Sequence, residues 1–143
     1  MILVDANLLL YAYMNADLRH TPARAWLNDV INGPAPVGLP WASLLAFLRI
    51  STNARAYAKP ASVDRAFAQI EAWLALEVVW IPQPTSRHAE ILGSLLRASG
   101  ARGNLTTDAH LATLAIEHGL TVCSADADFA RFPGLRWMNP LAA

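Results

Sequence analysis

The chain begins with the sequence MILVDANLLL (residues 1–10), an aliphatic run that reaches Asp5 and Asn7 and then becomes apolar again. Residues 2–5 have the composition of a buried strand, because they are few and almost wholly aliphatic. A carboxylate is costly to bury without a partner. We therefore expect Asp5 to lie where the strand ends and to have a chemical or a structural role there.

Four further apolar runs, each bounded by turn residues, predict strands of the same kind. The five predicted strands cover residues 2–5, 36–39, 78–81, 121–124 and 135–138. Segments with helical periodicity lie between most of them, and this alternation predicts an α/β fold with a parallel sheet and helices on both faces. No internal repeat or linker interrupts the pattern, so we expect one domain over residues 1–143.

Capping residues predict where several helices begin and end. Thr21, followed by Pro22, should start one helix, and Ser62 should start another. Gly100 and Gly119 should each end a helix. Residues 41–53 are apolar on nearly every side, which predicts a helix buried between layers.

The composition excludes several classes of protein. The chain is 55% hydrophobic and 15% charged, which excludes a disordered protein, and its formal net charge of +0 provides no overall basic field for nucleic acid. The single Cys123 excludes an internal disulfide, which fits a cytoplasmic protein. The apolar N-terminal run contains Asp5 and has no basic residue ahead of it, so we expect neither a signal peptide nor a membrane span.

Four aspartates are placed to meet at one edge of the predicted sheet. Asp5 ends the first strand, and Asp126 and Asp128 come just after the fourth. Asp108 lies in the first turn of the helix that precedes the fourth strand, on its inward face. In an open α/β sheet the ligand crevice lies at the carboxyl ends of the strands, so we expect these carboxylates to converge there.

Converging carboxylates require a cation. Two of them ~4 Å apart repel by about 1 kcal/mol in water and by about 4 kcal/mol at an effective dielectric constant of 20. No lysine lies near these motifs and no histidine pair has the spacing of the zinc proteases, so the fitting ions are Mg²⁺ or Mn²⁺. His88 and His118 lie on apolar helix faces, and His110 is expected to be exposed. An ion bound by carboxylates can activate water for phosphodiester hydrolysis.

Each polar residue also has a local structural interpretation. Asp5 could cap the following helix, and Asp126 and Asp128 could be turn and N-cap residues of the short ADFARF helix. Asn7 and Asn104 either orient a water or a carboxylate, or make hydrogen bonds within their own turns. The sequence leaves both interpretations open.

Four segments, taken together and in this order, resemble the PIN-domain ribonucleases, and most closely their VapC-type toxins. They read MILVDAN, RISTNAR, ARGNLTTDAHLATLAIEHG and SADADFARFPGLRW. The resemblance implies a compact three-layer α/β/α fold with about five parallel strands and a divalent-metal site that cleaves RNA. It also implies a VapB-type antitoxin that blocks the site, and toxin homodimers.

The resemblance also implies a role for individual residues. Asp5, Asp108 and Asp126 match the family's catalytic and metal-binding acids. Asp128 matches the accompanying acid of the DxDF motif, and Ser124 matches the small hydroxyl residue before it. Asn7 and Asn104 are expected to support the site.

One family acid is missing. The family usually supplies a Glu from the helix that here reads WASLLAFLRIST, where the two candidate positions are Ala42 and Ala46. Arg49 shares their helix face and could bind a phosphate, unless it pairs with a nearby acid at the helix end. Arg102 in the ARGN segment could also contact an RNA backbone.

The sequence thus predicts a Mg²⁺-dependent endoribonuclease toxin of a VapBC-type system, acting on structured RNA such as tRNA or rRNA, with Mn²⁺ as a possible substitute. The alternative is a non-catalytic PIN-fold module that binds RNA or a protein partner after loss of the helix glutamate. A phosphotransfer enzyme of the dehalogenase type would need an Asp where Asn7 stands and a lysine near the site. Dinucleotide binding would need a glycine-rich turn after the first strand, which is absent from the sequence.

Overall fold

The computed structural model describes residues 1–142, and five parallel strands form its single sheet. The strands are β1 (Ile2–Val4), β2 (Val37–Gly38), β3 (Val79–Trp80), β4 (Thr121–Cys123) and β5 (Trp137–Met138). Their order across the sheet is β3-β2-β1-β4-β5, so β1 is central. The prediction of five parallel strands is confirmed. Each strand is shorter than predicted: β1 and β4 end one residue early, β2 and β3 lose one residue at each end, and β5 begins two residues late.

Six α-helices and one short 3₁₀ helix connect the strands. They are α1 (Ala6–Tyr13), α2 (His20–Ile31), α3 (Trp41–Ser51), α4 (Val63–Leu74), α5 (His88–Ser99), α6 (Leu105–His118) and η1 (Ala127–Arg131). No helix within residues 1–142 is long and apolar enough to cross a membrane.

The predicted helix boundaries are confirmed in three of four cases. The Ser62 hydroxyl accepts a hydrogen bond from the backbone N–H of Arg65 at 3.2 Å, and α5 and α6 end at Gly100 and Gly119, with φ of 68° and 69°. The prediction for Thr21 is wrong, because α2 already begins at His20. Pro22 fits inside this first turn, where backbone N–H groups have no partner within the helix.

The sheet separates two hydrophobic cores, which confirms the three-layer architecture. Adjacent residues of one strand face opposite sides, so Val4 packs with α1 to α4 while Leu3 packs with α5 and α6. Val122 and Cys123 of β4 divide in the same way. The carboxyl edge of the sheet therefore lies between two packed helical layers.

Helix α3 is not buried on every side, so that prediction is wrong. Leu44 and Phe47 are fully buried, whereas Trp41 is 38% exposed and Leu45 is 57% exposed. Only one stripe of the helix is covered, by α1, α4 and the sheet. Trp41 and Leu45 are left on the surface, whereas Leu48 and Ile50 are partly buried against the core.

Candidate active site

The register of β1 against β4 places Asp5 beside Ser124. Val4 pairs with Cys123, and the backbone N–H of Asp5 donates to the Cys123 carbonyl at 3.0 Å. The Ser124 hydroxyl is fully buried and donates to Asp5 Oδ2 at 2.7 Å. Two strand ends that are distant along the chain are therefore tied together by one side-chain hydrogen bond.

The Ser124 hydroxyl also accepts two hydrogen bonds. Asn7 Nδ2 donates to it at 3.1 Å, and the backbone N–H of Asp126 donates at 3.0 Å. With its own proton given to Asp5, this hydroxyl has its full complement of partners. Asn7 Oδ1 in turn accepts from the backbone N–H of Ala125 at 3.4 Å. Asn7 thus supports the turn after β4 rather than reaching into open space.

Asp108, Asp126 and Asp128 form the tightest carboxylate group among residues 1–142, with one oxygen of each lying within 4.8 Å of the others. Asp108 comes from the first turn of α6, and Asp126 and Asp128 come from the turn after β4 and the start of η1. Asp5 lies outside this group. Its Oδ1 accepts from the backbone N–H of Ala6 at 2.8 Å and its Oδ2 from Ser124, so both oxygens are already hydrogen-bonded.

The capping interpretation holds for two of these aspartates. Asp5 is the N-cap of α1. Asp126 is the N-cap of η1, where its Oδ1 accepts from the backbone N–H of Asp128 at 2.8 Å. Capping occupies one oxygen of Asp126 and leaves lone pairs free, so the structural and chemical interpretations of that residue are compatible.

The site carries more negative charge than its one paired cation, Arg131 beside Asp128, balances. Burial is the main cause that raises the pKa of Asp108 to about 7, and the charges of Asp5, Asp126 and Asp128 raise it further. Burial also raises the pKa of Asp5, against the hydrogen bonds from Ser124 and Ala6 that lower it. All the available ligands are carboxylate oxygens, so this donor set fits Mg²⁺ or Mn²⁺ and not zinc.

A cavity of about 390 Å³ opens beside these carboxylates. Asp5 and Asp108 line it on one side. Helix α3 lines it with Ala42, Ala46 and Arg49, as the spacing of these residues predicts, and with Ile50. Asn7, Asn104 and Thr107 complete the polar part of the lining.

Arg102, the other arginine predicted to contact RNA, lies outside this cavity, and so do Arg131 and Arg136. Arg102 is exposed in the loop before α6, outside the cavity lining. Arg131 pairs with Asp128 at 3.2 Å, and Arg136 donates to the Gly119 carbonyl at 2.8 Å. The guanidinium groups of Arg131 and Arg136 therefore already have partners within the protein.

Two polar groupings were not predicted from the sequence. The Arg19 guanidinium lies 3.7 Å from the ring centroid of Tyr11 and pairs with Asp17 at 3.1 Å. The charges of Asp5 and Asp126 contribute to a raised pKa of Tyr11, whose main cause is burial, so this ring lies close to the acidic site. The spacing of Asp17 and Arg19 is the only sequence signal that could have revealed it.

The second grouping lies between α5 and α6. His110 is half-buried and its Nδ1 lies 3.0 Å from Nε2 of His88, so the prediction that His110 is exposed is wrong. The other nitrogen of His88 is hydrogen-bonded to Glu117, whose carboxylate also accepts from the Thr85 hydroxyl at 2.6 Å. Docking of α5 on α6 covers His110, which periodicity alone does not reveal.

Comparison with known proteins gives consistent results. The PIN domain family matches residues 2–135. Ribonuclease VapC37 of Mycobacterium tuberculosis is 42% identical over 142 residues and covers 99% of both chains, and Ribonuclease VapC33 of the same species is 41% identical over 141 residues with the same coverage.

Solved structures share the fold at lower identity. The VapBC2 complex of Rickettsia felis, bound to a promoter DNA fragment, matches with a TM-score of 0.70 at 18% identity, over 97% of this chain and 98% of that one. VapC20 of M. tuberculosis, described as a toxin that cleaves the sarcin–ricin loop, matches with a TM-score of 0.69 at 20% identity. The match covers 95% of this chain and 99% of that one.

Replacing Ser124 by alanine should loosen the site and destabilise the protein. The change removes the donor to Asp5 and the acceptor for Asn7 and Asp126, at a cost of about 1–3 kcal/mol for unsatisfied buried groups. Ser51→Ala is the matched control, because Ser51 is equally buried but bonds only to the Leu48 carbonyl of its own helix. Urea unfolding of both variants measures the difference, and equal effects would contradict the role assigned to Ser124.

Replacing Asp108 by asparagine should stabilise the metal-free protein at neutral pH. Folding raises the pKa of this carboxyl from 3.8 to about 7, so the native state holds a proton that the unfolded state releases, and wild-type stability falls as pH rises between those values. The Asp108→Asn variant has no carboxyl at this position, so it does not lose this stability as pH rises. In EDTA its Tm should exceed that of the wild type by about 3 °C or more at pH 8, with little difference near pH 3.5. A constant difference at all pH values would contradict the prediction.

Proposed function

Because the chain belongs to the PIN-domain family, we propose that it is a Mg²⁺-dependent endoribonuclease toxin of the VapC type. The observation that carries the proposal is the meeting of Asp108, Asp126 and Asp128 at the carboxyl edge of the sheet, beside Asp5. Its full-length relatives, 41–42% identical, are VapC ribonucleases, which supports the same activity. The raised pKa of Asp108 supports the need for a cation.

We assign the aspartates of the site different roles in hydrolysis. Asp108, Asp126 and Asp128 would hold the ion, since their oxygens are in mutual reach. Asp5 lines the cavity with its carboxylate fixed by Ser124, and its proposed role is to accept the proton of the attacking water. Bound Mg²⁺ would supply Lewis acidity to a phosphoryl oxygen and to water, and Mn²⁺ could substitute. Water oxygen joins phosphorus while one ester P–O bond breaks.

The substrate and the partner follow from the relatives. VapC20, which has the same fold, is described as cleaving the sarcin–ricin loop, so a structured RNA such as rRNA or tRNA is the proposed substrate. Several neighbours in fold are toxin–antitoxin complexes, including VapBC of Salmonella typhimurium. A VapB-type antitoxin is therefore the proposed partner.

One observation favours a second candidate function. The α3 wall of the cavity carries Ala42 and Ala46 and no carboxylate among the described residues. A PIN-fold protein with too few metal ligands could bind RNA or a partner without cleaving either. Whether the purified protein cleaves RNA distinguishes this candidate from the nuclease.

Purified protein should cleave structured RNA in Mg²⁺ or Mn²⁺ and lose this activity in EDTA. Asp108→Asn should reduce the rate by about 10²-fold or more, because it removes one ion-holding carboxylate. Asp29→Asn is the control, since Asp29 is an exposed acid of α2 away from the cavity. RNA binding without cleavage by the wild-type protein would favour the non-catalytic module instead.

The proposed homodimer has a candidate surface on α3 and α4. Trp41, Leu45, Val63 and Phe67 are 38%, 57%, 60% and 40% exposed, and Leu45 and Val63 line one shallow depression. Large apolar side chains grouped on a surface mark an interface. Asp64 follows Val63, and an acid beside such a surface can meet a base of the other copy across a two-fold axis.

Leu45→Glu should convert the dimer to a monomer, because it would place a charge inside the apolar contact. Leu18→Glu is the matched control, as Leu18 is 100% exposed in a loop outside this surface. Light scattering after size-exclusion chromatography measures both masses. A Leu45→Glu protein that remains dimeric would place the interface elsewhere, and a monomeric wild type would refute the homodimer.

A further inference from the structure

Helix α3 contributes a single cation to the cavity that Asp5 and Asp108 line. Ala42 and Ala46 present only methyl groups there, and Arg49 is the one basic residue that lines the cavity in the described part of the chain. The cavity thus combines two carboxylates with one guanidinium.

Arg49 has no partner of its own within residues 1–142. Arg19, Arg87 and Arg131 each form an ion pair, but no ion pair or hydrogen bond of the Arg49 side chain occurs among the described residues. Its side chain is exposed at the last turn of α3. Pairing with an acid at the helix end, the alternative that the sequence left open, is therefore not observed.

The alanines explain why this guanidinium is available. Positions 46 and 49 are three residues apart on one helix face, so a glutamate at 46 would lie within reach of Arg49 and would pair with it. Alanine at this position leaves all five guanidinium N–H donors open to a ligand. Loss of the acid thus creates an anion-binding group in the same cavity.

We propose that Arg49 binds a phosphate of the RNA strand in the cavity that Asp5 and Asp108 also line, and so positions the strand for cleavage. The inference rests on the proposed ribonuclease function. Asp5 and Asp108 repel a strand phosphate, and Arg49 supplies a local attraction that the net charge of +0 does not provide. Its planar fork can hold two phosphate oxygens at once, which a lysine cannot do.

Binding and cleavage of a fluorescent RNA oligonucleotide test this role separately. Arg49→Gln should weaken binding in EDTA about tenfold and lower the salt slope of binding by about 1, and in Mg²⁺ it should raise KM with little change in kcat. Arg49→Lys should give an RNA affinity and a KM between those of the wild type and Arg49→Gln. Arg24→Gln is the control, because Arg24 is an exposed arginine of α2 outside this cavity.

A second variant separates the proposal from a missing metal ligand. Ala46→Glu should behave like Arg49→Gln, because the new carboxylate would pair with Arg49 and withdraw it from RNA. A rise in kcat for Ala46→Glu at unchanged RNA affinity would overturn the proposal, and so would an Arg49→Gln protein that matches the Arg24→Gln control. Wild-type protein that binds RNA through Arg49 without cleaving it would instead refute the nuclease function and the positioning role, while phosphate binding by Arg49 would be supported.

Discussion

The hydrogen bond from Ser124 to Asp5 is the contact on which the acidic site depends. It joins residues 119 positions apart, and it forms because β1 and β4 are neighbours whose register brings their ends together. The same buried hydroxyl accepts from Asn7 and from the backbone of Asp126, so the end of β1 and the turn after β4 cannot move independently. Asp5 and the turn that carries Asp126 are held in place before any ligand arrives, and a site that is already ordered loses less entropy on binding.

This order has a cost in stability. Asp108 is held among like charges in a half-buried position, and its pKa of about 7 reflects the unfavourable energy of its ionised form. Proteins commonly retain such destabilising groups where function requires them. A bound cation would relieve the repulsion, which couples the stability of the fold to occupation of the site.

Helix α3 gives the cavity its asymmetry. Where a carboxylate would complete an acidic ring, Ala42 and Ala46 leave space, and Arg49 stands at the end of the same face. The ion would then have fewer protein ligands, and Mg²⁺ tolerates this because it usually keeps several waters. The substrate phosphate would gain a cationic partner. A protein with no overall charge can in this way attract a polyanion locally.

The sequence by itself determined the sheet, most helix ends and the placement of four aspartates at one edge, because hydrophobic periodicity and capping act between residues close together in the chain. It misplaced the start of α2 and the burial of α3 and His110, since these depend on which helices pack against each surface. Only the tertiary structure decided that Asp128 joins Asp108 and Asp126 while Asp5 turns to Ser124. The reason is that strand register and helix docking are set by contacts between distant segments, and a difference of one residue in register would bring a different side chain to the site.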